Sequence, residues 1–387
     1  MLDNPEPSNT AIHLSRHRQE ILSPNTKCGQ VMARVSFSKP LVMNSQRSLA
    51  IDIIKLAAAF GVVIIHLEPS TKDAEVFTQL FSLFAVPFFL MISLLFFINR
   101  VNILPSPRLL SLRLDRILVP YVVWSVIYTL MRVLKYRLGG ETLPINVVGI
   151  IFFGGAAVQL YFLPLLLLFQ AQALSVILLF RANYWRLIGS SVALGAVLFG
   201  YFGSAGGHFG FNHALELGVL YVTLAFLLTY TQAAVNGRRT NLVIGWLIVA
   251  LSVSTVFLGY PLNALGIIRG PIVGYAVAAL ALNWRLHITN PLLSALLTCS
   301  YGIYLAHFGF LECFEFAFDK LGADLTPYTI VTKILLGGVI CLFCVGFIAI
   351  VRSHWLSAYL FLGEKANIKI QKTGAEVTAN SKVLARF

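Results

Sequence analysis

The first long apolar run of the chain reads Arg47-Ser-Leu-Ala-Ile-Asp52-Ile-Ile-Lys55-Leu-Ala-Ala-Ala-Phe-Gly-Val-Val-Ile-Ile-His66. At about 100° per residue, helix positions 52, 55, 59, 62 and 66 return to one face, which therefore carries Asp52, Lys55 and His66. Lys55 and His66 would lie about 16 Å apart along the helix axis. Ionisable groups within a membrane-length segment are costly, and they usually face a bundle interior or a polar cavity. We therefore interpret this face as the wall of a site.

A plainer interpretation of the same residues stays open. Asp52 and Lys55 have i,i+3 spacing and could form an ion pair at the membrane interface, with His66 at the outer end of the helix. His66 carries more chemical information, because an imidazole has an unperturbed pKa near neutrality. It can take a proton from a hydroxyl group and return it.

The composition indicates an integral membrane protein. The chain has 387 residues, of which 58% are hydrophobic and 12% charged, and its mean hydropathy is +0.80. Apolar runs of about 20 residues predict an all-α, polytopic helical bundle and exclude a barrel, whose strands would alternate in hydropathy. The net charge of +13 is explained by basic loops, so we expect no nucleic-acid partner. The five cysteines suggest no disulfide framework.

The order of the apolar runs predicts three parts and ten transmembrane helices. Residues 1–46 are expected to form a flexible cytoplasmic tail, residues 47–352 the membrane domain, and residues 353–387 a cytoplasmic C-terminal tail. The segment 145–157 is too short to span and is expected to be re-entrant or interfacial. The ten runs lie near residues 51–67, 77–98, 117–135, 160–180, 187–203, 214–232, 241–259, 264–283, 292–312 and 330–351.

Charge asymmetry predicts the orientation. Arginines follow the even-numbered runs, whereas acidic residues follow the first and ninth runs. Because short loops rich in Lys and Arg stay in the cytoplasm, both termini should be cytoplasmic. The connection after the third run, with Arg132 and Lys135, is an exception to this pattern.

Two further groups of residues could carry chemistry. Arg113 and Arg116 share a helix face at the start of the third run, a spacing suited to phosphate groups, although a plain positive-inside anchor has the same pattern. His307 lies in an apolar run between tyrosines that include Tyr304. A lone buried histidine is often a satisfied core group, but a second intramembrane imidazole favours a polar cavity. The pattern shows no complete metal-ligand set, and we expect no metal.

Five stretches, in the expected order, resemble acyltransferase family 3, the membrane O-acyltransferases. The resemblance covers roughly residues 47–352 and is specific because the stretches occur together. They are Ile51-Asp52-Ile-Ile-Lys55 with ten residues before His66, Val86-Pro-Phe-Phe-Leu-Met-Ile-Ser93, Arg113-Leu-Asp-Arg116-Ile-Leu-Val-Pro-Tyr-Val-Val-Trp124, Gln159-Leu-Tyr161-Phe-Leu-Pro164 and Ser300-Tyr-Gly-Ile-Tyr304-Leu-Ala-His307.

The resemblance implies an enzyme that moves an acetyl or similar acyl group from cytoplasmic acyl-CoA to a hydroxyl of a cell-surface polysaccharide or glycolipid, and we expect the donor to be acetyl-CoA. His66 matches the family's first-helix histidine, and Arg113 and Arg116 match its paired arginines, which implies catalytic and donor-binding roles. Lys55 stands where the family often has arginine, which loses a bidentate grip, and we expect it to act with Asp52.

We expect Tyr304, His307, Tyr161 and Ser93 to line the substrate cavity. The chain departs from the family pattern at Ser93-Leu94, where glycine usually follows the serine. We expect a multi-pass protein of a bacterial inner membrane that contacts the lipid bilayer, the acyl-CoA and the acceptor, with its oligomeric state open. The alternative is a transporter of a small anion or lipid-linked sugar that uses the same polar face without bond making.

Overall fold

The computed structural model describes residues 49–103, 107–138, 146–180, 182–203, 211–233, 237–258, 268–284, 286, 290–322 and 328–364. The expected tails, residues 1–46 and most of 353–387, fall outside this part, so the three-part division stays a prediction. Within the described residues the chain forms α-helices, one 3₁₀ turn and an isolated bridge between Pro69 and Tyr328. The expected all-α class is confirmed.

Thirteen α-helices lie within the described part of the chain. In chain order they are α1 Leu49–His66, α2 Lys72–Ile103, α3 Pro107–Leu138, α4 Val147–Phe153, α5 Phe162–Leu179, α6 Asn183–Gly203, α7 Phe211–Ala233, α8 Gly237–Phe257, α9 Arg269–Asn283, α10 Pro291–Leu297, α11 Ser300–Lys320, α12 Ile330–Arg352 and α13 Trp355–Leu362. The 3₁₀ turn, Val158–Tyr161, leads directly into α5.

Seven stretches of the described chain are long and apolar enough to cross a membrane, and an eighth is formed if α10 and α11 count together as one bent span. The protein is therefore a polytopic membrane protein, but the predicted count of ten spans is not confirmed. The predicted run 292–312 is broken between α10 and α11, where the axis bends by 63°. Helix α9 has 15 residues, which is shorter than a typical span of about 20.

Helix α1 lies at the centre of the bundle and packs against α2, α11 and α12. Small residues on α1, including Ala58 and Ala59, are fully buried and allow this close approach. Gly337 serves the same purpose on α12, because a Cβ atom there would lie 2.9 Å from Ile64 Cδ1 and 3.3 Å from Phe60 Cε2. The helix that carries His66 is thus held on several sides by its neighbours.

Helix α4 corresponds to the segment 145–157. It has seven residues, or about 10 Å, and cannot span a bilayer. Asn146 caps its first turn, and Gly154 ends it in the left-handed region at φ 68°. Its apolar side chains, among them Phe152 and Phe153, are exposed. The short length agrees with the expectation for this segment, and its depth in the membrane stays a prediction.

Arg132 and Lys135, the basic residues that depart from the loop-charge pattern, both have partners in the structure. Lys135 on α3 forms an ion pair with Glu312 on α11, with Nζ and Oε2 2.5 Å apart, and the Arg132 guanidinium donates to the Gly155 carbonyl. The end of α3 and the acidic end of α11 therefore lie on the same side of the bundle. Near the end of α3, Lys135 is thus matched by a carboxylate and Arg132 by a backbone carbonyl, which is why these cations can depart from the loop-charge pattern.

An arginine fastens the bend between α10 and α11. The guanidinium of Arg352, at the end of α12, donates to the hydroxyl of Thr298 at 2.8 Å and to its carbonyl at 3.1 Å. The same group forms a bidentate ion pair with Glu364, just after α13. The break between α10 and α11, the end of α12 and the residues just after α13 are thereby joined at one point.

Candidate functional site

The two intramembrane histidines meet in the structure. His66 is the last residue of α1, and its ring stacks on that of His307 from α11, with centroids 5.3 Å apart and planes at 28°. His66 is half-buried, whereas His307 is fully buried. The ring of Phe308 packs edge-on against His66 at 5.6 Å. Residues 241 positions apart in sequence thus form one imidazole pair.

The backbone decides which nitrogen of His307 carries the proton. Nδ1 lies 2.8 Å from the Tyr304 carbonyl oxygen and 3.1 Å from the Ile303 carbonyl oxygen. Because a carbonyl oxygen only accepts, Nδ1 must be the protonated nitrogen, and in the neutral ring Nε2 is then the acceptor. Nε2 is buried and has no hydrogen-bond partner among the described residues. His307 therefore presents a free lone pair beside His66.

Tyr128 of α3 holds the stretch of α11 around His307. Its hydroxyl donates to the Leu305 carbonyl at 2.6 Å and accepts from the Gly309 N–H at 3.2 Å, so it touches the backbone on both sides of the histidine. The Tyr128 ring stacks on Trp124 at 5.4 Å, and the Trp124 indole N–H donates to the Phe361 carbonyl. This arrangement connects the histidine pair to α3 and α13.

Tyr304 and Gln159 continue the polar wall. The Tyr304 hydroxyl donates to the Gln159 carbonyl oxygen, and the Tyr304 ring lies 6.2 Å from that of His307. The Gln159 carboxamide faces the Tyr128 hydroxyl, yet neither its nitrogen nor its oxygen makes a hydrogen bond of ordinary geometry within the described structure, although Gln159 is only 2% exposed. Unsatisfied buried amides are costly, which makes Gln159 a candidate ligand-binding group.

The other cavity candidates stand further from the histidine pair. Tyr161 is 45% exposed, and its hydroxyl is near enough to that of Tyr304 for an electrostatic interaction. Ser93 is half-buried on α2, and the described contacts do not join it to either histidine. Leu94, where the family usually has glycine, is fully buried in the core. The cavity assignments of Tyr161 and Ser93 stay predictions.

Asp52 and Lys55 form the expected i,i+3 pair, with Lys55 Nζ 3.5 Å from Asp52 Oδ1. The Lys55 ammonium also lies over the Phe96 ring of α2, 5.0 Å from its centroid. The pair is near the first turn of α1, whereas His66 ends that helix, so Lys55 and His66 mark opposite ends of one face. The structure places them on the same helix but does not bring them together.

Arg116 is exposed on α3, and its guanidinium is near enough to the Tyr301 hydroxyl for an electrostatic interaction. Arg113 lies on the same helix, but its side chain is outside the described part of the structure. Tyr301 precedes His307 by six residues, which is about 9 Å along α11. Arg116 therefore marks a basic end of the site beside Tyr301, which is less than two helical turns from His307 on α11.

An open, apolar groove of about 340 Å³ runs between α3 and α4, lined by residues such as Tyr121 and Ile150. None of the predicted site residues lines it, so it is separate from the imidazole pair. Among the described residues, no three His, Cys, Asp or Glu side chains cluster in a way that could hold a metal ion.

The fold and site together define a class: a polytopic helical membrane protein whose interior carries two stacked imidazoles, one with a fixed free lone pair, next to a buried carboxamide. A positioned imidazole that can accept a proton from a reacting group is typical of an enzyme active site. Comparison with known protein families identifies the family to which this enzyme belongs. The model of the acyltransferase domain of acyltransferase family 3 matches residues 48–353, and the chain belongs to this family.

The protein is thus a membrane-embedded acyltransferase. Comparisons with curated proteins and with solved structures give no match. Sequence reasoning missed two residues of the site region, Tyr128 and the buried Lys333, and it named Gln159 only as part of a stretch that resembles the family, without a role. Lys333 had a visible signal, since it is a charge inside an apolar run, whereas Tyr128 had none.

Proposed function

We propose that this acyltransferase moves an acetyl or similar acyl group from cytoplasmic acyl-CoA to a hydroxyl group of a cell-surface polysaccharide or glycolipid. The observation that carries the proposal is the stack of His66 on His307 inside the membrane bundle. Family membership supplies acyl transfer in general, and this pair supplies groups suited to move a proton at a hydroxyl.

In the proposed reaction His66 acts as the general base. It takes the proton of the acceptor hydroxyl while the hydroxyl oxygen attacks the thioester carbonyl carbon of the acyl-CoA. The tetrahedral intermediate collapses, its carbon–sulfur bond breaks, and the sulfur leaves with the bonding electron pair. The protonated imidazole of His66 returns the proton to that sulfur, so the products are an acyl ester and free CoA thiol.

The neighbouring groups support this role. The free Nε2 of His307 can accept a hydrogen bond from a neighbouring hydroxyl of the acceptor, and the Gln159 amide can donate one to the thioester oxygen as negative charge develops there. Tyr304 connects His307 and Gln159, because its ring lies beside that of His307 and its hydroxyl donates to the Gln159 backbone carbonyl. The buried, unpartnered atoms would thereby gain the partners that the free protein does not provide.

The basic end of the site suits the donor. We assign Arg113 and Arg116 to the phosphate groups of CoA, with Lys55 and Asp52 placed to orient the donor. Arg116 lies near Tyr301, about 9 Å along α11 from His307, a gap that the thin pantetheine arm of CoA can bridge. The charge asymmetry of the loops supports a cytoplasmic position for this end and for both termini, in a bacterial inner membrane.

The test uses the purified full-length protein in detergent, radiolabelled acetyl-CoA and a glycolipid fraction extracted from the producing cells. Label in the glycolipid and release of free CoA are measured together. His66→Ala should lower kcat by about 10² to 10⁴-fold, the usual contribution of a general base. His354→Ala is the matched control, because His354 is an exposed histidine at the start of α13 and should retain wild-type turnover.

Equal turnover of wild type and His66→Ala would refute the role of His66. A wild type that folds but releases no CoA from any acyl-CoA donor would refute the proposed reaction. Donor binding is tested separately with Arg116→Met, which should raise the KM for acetyl-CoA and leave kcat nearly unchanged, since a phosphate grip contributes equally to ground state and transition state.

A further inference from the structure

The end of α1 needs an external support. The last carbonyl groups of a helix have no intrahelical partner, and helix ends open more readily than helix centres. His66 is the last residue of α1, so the position of its imidazole depends on how that end is held. Stacking on His307 restrains the ring, and the backbone closes the helix end with a long bond of 3.3 Å from the Leu67 N–H to the Ile64 carbonyl oxygen.

Lys333, one turn into α12, supplies that support. Its side chain is fully buried, and its ammonium nitrogen lies 2.5 Å from the Leu67 carbonyl oxygen and 3.5 Å from the Ile64 carbonyl oxygen. It also donates to the Thr78 hydroxyl of α2. An ammonium group has three N–H donors, and Lys333 has three acceptors. The buried charge therefore has a complete hydrogen-bond shell.

The electrostatics of the site agree with this geometry. The C-terminal end of a helix carries a partial negative charge, and a cation is favoured there. Isolated charges inside a membrane bundle are costly and are kept where they are paired or functional. Lys333 meets the Ile64 carbonyl in the last turn of α1 and the carbonyl of Leu67, the residue that follows the helix, and these contacts offset the cost of burying the charge.

The backbone around Lys333 ties the same three helices together. Ser70, in the loop after α1, donates its N–H to the Tyr328 carbonyl at 3.2 Å, and Thr329 caps the first turn of α12. One turn beyond Lys333, Gly337 allows α12 to approach α1 closely. The start of α12 is therefore fixed in place, and Lys333 connects it to the end of α1 and to α2.

We propose that Lys333 is a positioning residue for the reaction, which holds the last turn of α1 so that the His66 imidazole stays stacked on His307 and aimed at the acceptor hydroxyl. Lys333 does not touch the substrate. The inference rests on the proposed role of His66, and it adds a residue that acts on the chemistry only through the backbone of α1.

The central variant is Lys333→Met, which keeps most of the length of the unbranched side chain and removes all three donors. It should lower kcat by about tenfold to a hundredfold, the cost of misplacing a catalytic group by about 1 Å, with the KM for acetyl-CoA nearly unchanged. Lys333→Arg should recover much of the activity because it restores charge and donors. Lys320→Met is the control, since Lys320 is exposed at the end of α11 and lies only over the Phe316 ring.

A second readout does not depend on activity. Hydrogen–deuterium exchange in detergent should increase in peptides covering residues 60–70 of Lys333→Met, with no comparable change in peptides of α7 or α8. If Lys333→Met does not fold, Thr78→Val replaces it, because this change removes one acceptor and keeps the lysine. It should produce the same local increase in exchange and a smaller loss of kcat.

The outcomes separate the two proposals. Wild-type kcat and wild-type exchange at residues 60–70 in a folded Lys333→Met protein would overturn the positioning role, while the effect of His66→Ala would still support acyl transfer. Uniformly increased exchange throughout the protein would also overturn it, because that result indicates general stability. If the wild type itself shows no turnover, the proposed reaction fails, and the exchange experiment alone decides whether Lys333 holds the end of α1.

Discussion

Tyr128→Phe removes one hydroxyl oxygen from the backbone support of His307 and changes nothing else in the side chain. The aromatic ring keeps its stacking on Trp124, with centroids 5.4 Å apart. The lost contacts are the donation to the Leu305 carbonyl at 2.6 Å and the acceptance from the Gly309 N–H at 3.2 Å. Both backbone groups lie within two residues of His307, so the change perturbs the histidine directly.

The expected magnitude follows from these two bonds. A buried hydrogen bond contributes about 1 kcal/mol net, which sets an upper limit of about 2 kcal/mol for the hydroxyl. Leu305 and Gly309 are four residues apart on α11, and their carbonyl and N–H can bond to each other after the change. The free energy of unfolding should therefore fall by about 1 kcal/mol. If the full loss of about 1 kcal/mol raises the activation free energy of the reaction, kcat falls by about fivefold.

Tyr121→Phe is the matched control on the same helix. The single O–H of Tyr121 is shared between the Ile150 carbonyl at 2.7 Å and the Ile151 carbonyl at 2.9 Å, and the hydroxyl oxygen accepts from the Gly154 N–H at 3.1 Å. Both variants are compared by thermal unfolding in detergent and by release of CoA from acetyl-CoA. Both should be destabilised, and only Tyr128→Phe should lose turnover. An equal loss of kcat in both variants, or none in Tyr128→Phe, would refute the argument.

Two further predictions concern helix packing. Gly337→Leu should destabilise the protein by about 1–3 kcal/mol because its Cβ would lie 2.9 Å from Ile64 Cδ1, whereas Gly338→Leu, which has open space around it, should be neutral or slightly stabilising by thermal unfolding. Equal midpoints for these two variants would contradict the packing. Arg352→Met leaves the Thr298 carbonyl without its donor and should therefore lower the free energy of unfolding by about 1–2 kcal/mol, after allowance for partial exposure of the ion pair. The thermal midpoint should fall accordingly. A midpoint equal to that of wild type would show that the bend holds without the arginine.

The sequence alone predicted the class of fold because hydropathy is a local property. Each apolar run must satisfy its own backbone hydrogen bonds in a membrane, and a helix does so within the run. The same reasoning predicted the i,i+3 pair of Asp52 and Lys55, since residues on one helix face need no tertiary information. It did not predict the break at Thr298, because the bend is held by Arg352 from another helix.

The candidate site was only partly visible in the sequence. His66 and His307 could be selected because ionisable groups inside apolar runs are costly, and the arginines could be selected from their shared helix face. The roles of Gln159 and Tyr128 could not be selected in this way. A buried glutamine without a hydrogen bond and a tyrosine bonded to a distant backbone look ordinary in sequence, since what distinguishes them is the partner that they meet or lack.

The sequence by itself therefore determined that the protein is a polytopic helical membrane protein of an acyltransferase type, and that two of its histidines lie inside apolar runs. Only the tertiary structure decided that these histidines stack at 5.3 Å, that the lone pair of His307 is free, and that Lys333 holds the end of α1. The physical reason is the range of the interactions. Hydropathy and helix periodicity act between neighbours in the chain, whereas the partners of His66 and Lys333 are more than two hundred residues away.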